Sequence, residues 1–288
     1  MKQRQLGPNG PLVNEIGLGG MPLSVKKDRP SEAEGAQVLL AATQAGMTLW
    51  DTADAYCWDD SETGHNERVF ALAYAQLPAD LKAQVVIATK GGHVRPGGRW
   101  ERNCHPDHLR AAVDASLKSL QLETIPLYQL HRVDPQVPIE DSLGALVEAQ
   151  QAGKIAHIGL SNVSVEQIEA ALKVTPVVSV QNRYSLGFRE PEQDGVLEKC
   201  RELKLAFLPW SPLGGIGDAK DKGVSAAQSV ADELGVSPQQ VALAWLLAKA
   251  ENIIPIPGIS RVASATDSAQ AANVTLSPEQ FARLDASK

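Results

Sequence analysis

The chain has 288 residues, 43% of them hydrophobic, which supplies a full core and leaves no case for disorder. A formal charge of −7 argues against nucleic acid or an anionic membrane surface as the main partner, though not against a local basic pocket for one phosphate. The length suits either two ordinary domains or one large α/β barrel, in which eight equal βα units would hold about 36 residues each.

The N-terminus, MKQRQLGPNG, lacks the apolar stretch of a secretory signal. Apolar runs such as 241–248 fall well short of the roughly 20 residues of a membrane span. The three cysteines, Cys57, Cys104 and Cys200, form no CxxC pair and no zinc spacing. A reduced, cytoplasmic setting without a metal site is expected.

In chain order, residues 1–13 turn at Pro8-Asn9-Gly10 and read as a hairpin covering the bottom of the main sheet. A short strand is expected at 16–18. A helix at 31–45 comes next, with Ser31 and Glu34 as a capping box and Gly46 as its stop. Strands are then expected at 47–51, 85–90, 125–130, 155–160, 177–181, 206–210 and 253–257. Helices are expected between them at 106–120, 139–152, 165–173, 194–203, 237–250 and 262–271. Residues 225–234 and 277–288 read as additional helices.

Strands alternating with helices indicate βαβ units and a parallel sheet, and the apolar strand runs indicate burial on both faces. An open doubly wound sheet would announce itself with GxGxxG after the first strand. Here Gly17-Leu-Gly-Gly-Met-Pro22 lacks the third glycine.

The polar residues fall at strand ends. Asp51 ends the second strand and Lys90 the third. His131 comes directly after the fourth, Ser161 and Asn162 end the fifth, Gln181 ends the sixth, and Trp210 and Ser211 end the seventh. Any one of them alone reads more readily as a cap or a solvated loop residue. As a series they select the closed barrel, where all such ends meet at one rim.

Tyr56 leaves the same strand as Asp51 and would hang over that rim. A Lys⁺ beside a tyrosine hydroxyl stabilises phenolate and lowers the tyrosine pKa. Tyr56, Lys90, Asp51 and His131 would thus form a proton-donating clamp on a carbonyl oxygen. The set offers no Ser/Cys nucleophile paired with a histidine, so hydride from a bound nicotinamide would complete the reaction. Ser161, Asn162 and Gln181 are suited to hold a carboxamide, and Trp210 offers an aromatic face.

These residues resemble the aldo-keto reductase family over essentially the whole chain. The stretches that carry the likeness are Trp50-Asp-Thr-Ala-Asp-Ala-Tyr56, Ala88-Thr-Lys-Gly-Gly92, Leu130-His-Arg-Val-Asp134, Ile158-Gly-Leu-Ser-Asn162, Val180-Gln-Asn-Arg-Tyr-Ser185, Pro209-Trp-Ser-Pro-Leu-Gly214 and Ile254-Pro-Ile-Pro-Gly258. The resemblance implies one (β/α)8 TIM barrel over 1–288, with the N-terminal hairpin and the extra C-terminal helices outside it.

It also implies NADPH-dependent reduction of aldehydes or ketones, with NADH as the alternative cofactor. Tyr56 would be the general acid, Lys90 with Asp51 would lower its pKa, and His131 would orient the carbonyl. Ser161, Asn162, Gln181 and Trp210 would hold the nicotinamide. Ser211, Leu213 and Gly215 would lie along the pyrophosphate. Ser260, Arg261 and Ser264 would meet the 2′-phosphate, unless Arg261 is simply an exposed helix-start arginine.

Asp267-Ser268 departs from the family's Glu-Asn pair at adenine, and Cys57 replaces the usual glycine after the tyrosine. Trp58 and Trp100 are candidate pocket walls, or else pack on neighbouring helices. His65, His93, His105, His108 and His157 read as surface or packing residues. A small-molecule carbonyl substrate and a monomer or weak homo-oligomer are expected. A nicotinamide-binding regulatory subunit with little turnover is the alternative reading. A faint likeness to bacterial pyridoxal reductases does not extend to the substrate.

Overall fold

The computed structural model describes residues 1–214 and 222–287. Strands β1 (Gln3–Gln5) and β2 (Leu12–Asn14) form the expected antiparallel hairpin. Next in the chain are β3 (Leu18–Gly19), β4 (Leu49–Asp51) and β5 (Val86–Gly91). Strands β6 (His93–Val94) and β7 (Glu101–Arg102) make a small hairpin in the loop after β5. The remaining strands are β8 (Ile125–Leu130), β9 (Ile155–Ser161), β10 (Ser179–Gln181) and β11 (Ala206–Phe207). Seven strands, β3-β4-β5-β8-β9-β10-β11, are hydrogen-bonded in that order as one parallel sheet.

The eighth strand, expected at 253–257, is not a regular strand. Pro255 and Pro257 have no N–H to give to a ladder. The segment still closes the barrel by single bonds to both neighbours. Ile254 N donates to Phe207 O at 2.9 Å, while Gly17 N and Gly19 N donate to Pro255 O and Pro257 O at 3.0 and 2.8 Å.

Helices form where the sequence carries caps. α1 (Glu32–Gln44) has the Ser31–Glu34 capping box and ends at Gly46, which takes φ +102°. The first helix absent from the sequence-based expectation, α2 (His65–Gln76), begins after Gly64 at φ +80° with no capping side chain. The short α3 (Ala79–Lys82) comes directly after it. Next come α4 (Pro106–Leu120), α5 (Ile139–Gln151) and α6 (Val165–Val174).

The helix expected at 194–203 is α8 (Val196–Glu202), which starts after Gly195 at φ +82°; a short α7 (Glu190–Gln193), absent from that expectation, precedes it. The remaining helices are α9 (Lys222–Leu234), α10 (Pro238–Lys249), α11 (Val262–Gln270) and α12 (Pro278–Ala286).

Side-chain parity divides the core in two. Trp50, Ile87, Tyr128, Ile158 and Val180 face outward and pack with the helices. Leu49, Ala88, Leu127, Val178 and Leu208 face inward, with Leu6 and Val13 of the hairpin plugging the bottom. Moving two residues up a strand keeps the same face. Asp51 therefore stands above Leu49, Lys90 above Ala88 and Gln129 above Leu127. The interior changes from apolar to polar as it approaches the rim.

Candidate active site

Lys90 is fully buried, and its ammonium group spends all three protons. Nζ donates to Asp51 Oδ2 at 2.7 Å, to the Thr52 carbonyl at 2.8 Å and to Tyr56 Oη at 3.1 Å. Burial opposes its charge most strongly, but Asp51 and Tyr56 together raise its pKa above the ordinary lysine value. It is therefore a cation near neutral pH. Asp51 Oδ1 accepts from Gln181 Nε2 at 2.7 Å and Gln129 Nε2 at 3.2 Å.

For Tyr56 the sequence predicts a lowered pKa, and the net direction is the reverse. Burial pushes the phenol up most. Lys90 pulls it down, and the carboxylate of Asp51 pushes it up again. The resting group is a protonated phenol. His131 stands beside it, ring to ring at 5.6 Å and edge-on. Burial and then the Lys90 charge drive the imidazole pKa well below its usual range, so the ring is neutral. Its Nδ1 has no hydrogen-bond partner among the described residues.

The proposed nicotinamide holders are together but committed to one another. Ser161 Oγ donates to the Gln181 carbonyl at 3.0 Å. Asn162 sits at φ +57°, donates from Nδ2 to the His131 carbonyl at 3.1 Å, and accepts from Trp210 Nε1 at 3.1 Å. The Gln181 amide nitrogen is turned to Asp51, a partner that strand-end position alone does not reveal.

Ser211 takes φ +48° at the turn leaving the seventh strand, with the half-buried Leu213 two residues on. Gly215 lies outside the described residues. Across the rim, Ser260 and Ser264 are half-buried and Arg261 is exposed as the N-cap residue of α11. Asp267 is not turned to a ligand. It accepts from Ser237 Oγ and Gln240 Nε2 at 2.8 and 2.7 Å, tying α11 to α10.

The two loop tryptophans part company. Trp100, 44% exposed, stands edge-on to Tyr56 at 6.4 Å and to His131 at 6.3 Å. Trp58, 39% exposed, lies under Lys27 at 4.9 Å and makes no ring contact with Tyr56 or His131. Trp100 borders the reactive groups; Trp58 is a loop-packing residue.

The aldo/keto reductase family model matches residues 15–288. The chain belongs to that family. An uncharacterized oxidoreductase of Schizosaccharomyces pombe is 37% identical, covering 95% of this chain and 86% of that protein. The aldo-keto reductase yakc [NADP(+)] of the same yeast is 34% identical, covering 92% and 85%. Among solved structures, a thermostable aldo-keto reductase superposes with TM-score 0.85 at 28% identity over the full length of both chains. An aldo/keto reductase from Klebsiella pneumoniae shares the fold, with TM-score 0.82 at 24% identity, covering 99% and 95%. The barrel read from the strand ends is the fold of these neighbours, and the chain is an oxidoreductase of this family.

Sequence reading misses three participants. Gln129 completes the buried network below Lys90; its signal is an amide in an otherwise apolar strand. The Thr52 carbonyl gives none. His93, read as a surface or packing residue, has its ring 4.4 Å from that of His131. Only the β6–β7 hairpin, which no periodicity marks, carries it there.

Proposed function

We propose that this chain reduces aldehydes or ketones to alcohols with NADPH, Tyr56 supplying the proton. The observation that carries this reading is the three-way donation from Lys90 Nζ to Asp51, the Thr52 carbonyl and Tyr56 Oη beside a neutral His131. We read 1–288 as one barrel domain, acting in the cytoplasm as a monomer or weak homo-oligomer. Among the described residues no helix is long and apolar enough to cross a membrane.

The residues present fit the cofactor. Arg261 gives α11 no side-chain cap, so the first N–H groups of that helix stay available to a phosphate. An open cleft of about 550 Å³ beside it is lined by Ser260 and Arg261 together with Asp28, Glu34 and Arg29, the last already paired with Glu62. Tyr56 is not on its wall, which suits the phosphate end of the cofactor and not the reacting end. The relative whose name carries NADP(+) supports the phosphorylated form. Ser161, Asn162, Gln181 and Trp210 would hold the nicotinamide end, and Ser211, Leu213 and Gly215 the pyrophosphate.

Bound NADPH supplies the hydride that reduces the carbonyl carbon. The protein handles the oxygen. Its burial keeps Tyr56 protonated until a carbonyl arrives, and the neutral His131 directs an N–H at the same oxygen. As the proton leaves Tyr56 Oη, the ammonium 3.1 Å away stabilises the phenolate. Asp51 holds that ammonium in place and keeps it charged.

The test is NADPH consumption across an aldehyde panel, comparing wild type with Tyr56→Phe. A loss of roughly 100-fold or more is expected for removal of a general acid. Equal rates in the two proteins would sink the assignment.

A further inference from the structure

Most arginines of this acidic chain meet a carboxylate, as Arg29 does at Glu62, Arg110 at Glu148 and Arg283 at Glu233. Among the described residues, Arg68, Arg95, Arg102, Arg132, Arg183 and Arg261 do not. All six stand in loops or first helical turns that come after a barrel strand, on the rim that bears Tyr56. Arg261 is already assigned to the cofactor phosphate. Three others, Arg95, Arg102 and Arg132, gather on the Tyr56–His131 side.

Their placement is built by the hairpin after β5. His93 pairs across it with Arg102. The His93 ring lies 4.4 Å from that of His131, and the half-buried Arg132 is the next residue in the chain. The charges of Arg132, Arg102 and Arg95 all act on His93, and Arg132 acts on His131 as well. Arg132 is pulled below the usual guanidinium range first by burial and then by Arg102, as expected of like charges held close.

Arg95 has a different part. It is 5% exposed and donates from Nη2 to the Trp58 and Gly98 carbonyls at 3.0 and 2.8 Å. Its guanidinium carbon lies 4.0 Å from the centre of the Trp100 ring. It therefore sets the wall that faces Tyr56. Neighbouring acids do not neutralise the other two arginines. Glu101 turns to Arg99 at 3.0 Å, and Asp134 accepts the Cys104 and Gln136 amides.

Arg132 is half-buried and Arg102 is exposed, its Nη1 donating to the Val133 carbonyl at 3.3 Å beside Arg132. Two like charges this near each other and the rim favour an anion between them. We propose that Arg132 and Arg102 receive the anionic group of the substrate, so that preferred substrates are carbonyl compounds bearing a carboxylate or a phosphate. Guanidinium forks match both oxyanions. The inference rests on the reductase reading above and adds the substrate class. Hydride and proton still go to the carbonyl, and the anion orients it from outside.

The experiment uses matched pairs: carboxybenzaldehyde against benzaldehyde, and glyceraldehyde phosphate against glyceraldehyde. In wild type, kcat/KM favours the anionic member of one or both pairs by roughly tenfold or more, the scale of a charge-assisted hydrogen bond, and added salt weakens the preference. The pair that shows it identifies the oxyanion. In Arg132→Gln and Arg102→Gln the preference ratio falls toward one, and Arg132→Lys retains part of it, which separates a lost charge from a damaged fold.

A separate arm measures benzoate and inorganic phosphate binding to the NADP⁺-loaded protein by calorimetry. Wild type binds at least one of them, and Arg132→Gln weakens that binding. Ratios near one in wild type with aldehydes turned over overturn the inference and leave the reductase reading intact. If no carbonyl is reduced, that reading falls, and the calorimetric arm alone decides. Equal binding by wild type and Arg132→Gln, or none by either, overturns the arginine site.

Discussion

The Lys90–Asp51 pair is the strongest electrostatic contact in the site, and a double-mutant cycle measures it. At 2.7 Å and an effective dielectric near 20, the attraction is about 6 kcal/mol before desolvation is charged against it. Removing one partner of such a buried pair typically costs about 3–5 kcal/mol, because the other charge stays behind. Lys90→Met should fall at the low end, since Asp51 keeps its donors Gln129 and Gln181. Asp51→Asn should fall at the high end, since Lys90 then keeps only the Thr52 carbonyl and the Tyr56 hydroxyl as partners. In the double variant, the new amide can still accept from Gln181 while its NH₂ group faces an apolar side chain. Its cost should be less than the sum of the singles by about 2 kcal/mol or more. Urea unfolding at neutral pH, with slopes compared to confirm a common two-state transition, gives all three values. Additive single costs, or singles below about 1 kcal/mol, would refute the buried-pair account.

Two further outcomes probe the frame around the site. Glu67 of α2 is fully buried. Its Oε1 accepts from Thr89 Oγ1 at 2.6 Å, its Oε2 has no partner among the described residues, and burial pushes its carboxyl up to about 7. The folded state then binds this proton more tightly than the unfolded chain does, so its contribution to stability falls as pH rises from about 4.5 to about 7 and stays low above. Glu67→Gln should therefore stabilise relative to wild type by about 2 kcal/mol more at pH 8 than at pH 5; equal differences at both would refute the raised carboxyl. Gly7 takes φ +70° in the bottom hairpin, and a Cβ there would run into the Val178 carbonyl oxygen. Gly7→Ala should cost about 2–4 kcal/mol in thermal or urea unfolding while leaving turnover per folded molecule intact. An unchanged midpoint would show that the hairpin does not seal the barrel.

Local chemistry is the most legible part of the sequence. Ser31, Ser164 and Ser277 each form a capping box, with Glu34, Gln167 and Gln280, and each helix starts at the next residue. α2 escapes because Gly64 replaces a capping side chain. The eighth strand is readable as apolar, but its prolines replace a ladder with isolated bonds. The site divides the same way. Asp51, Lys90 and His131 are visible because a buried apolar strand rarely runs into a titratable side chain unless a partner waits there to hold it. His93 and Arg102 are not, because a two-residue strand in a long loop leaves no period to detect, and only tertiary folding brings it over the rim.

The direction of Tyr56 changes what Lys90 is for. If Lys90 lowered the phenol's pKa in the resting chain, part of the acid would already be lost as phenolate. Burial instead holds the proton on, and the carboxylate of Asp51 adds to that hold. In the proposed reaction Lys90 therefore matters less before transfer than during it, when a negative charge would form on Oη 3.1 Å from an ammonium that is already in place. Asp51 raises the phenol and also keeps Lys90 charged, so its two effects on Tyr56 oppose each other at rest and only the second serves the transfer. The buried amides of Gln129 and Gln181 donate to Asp51 Oδ1 and leave Oδ2 to Lys90, so the carboxylate that keeps the ammonium charged is itself fully hydrogen-bonded.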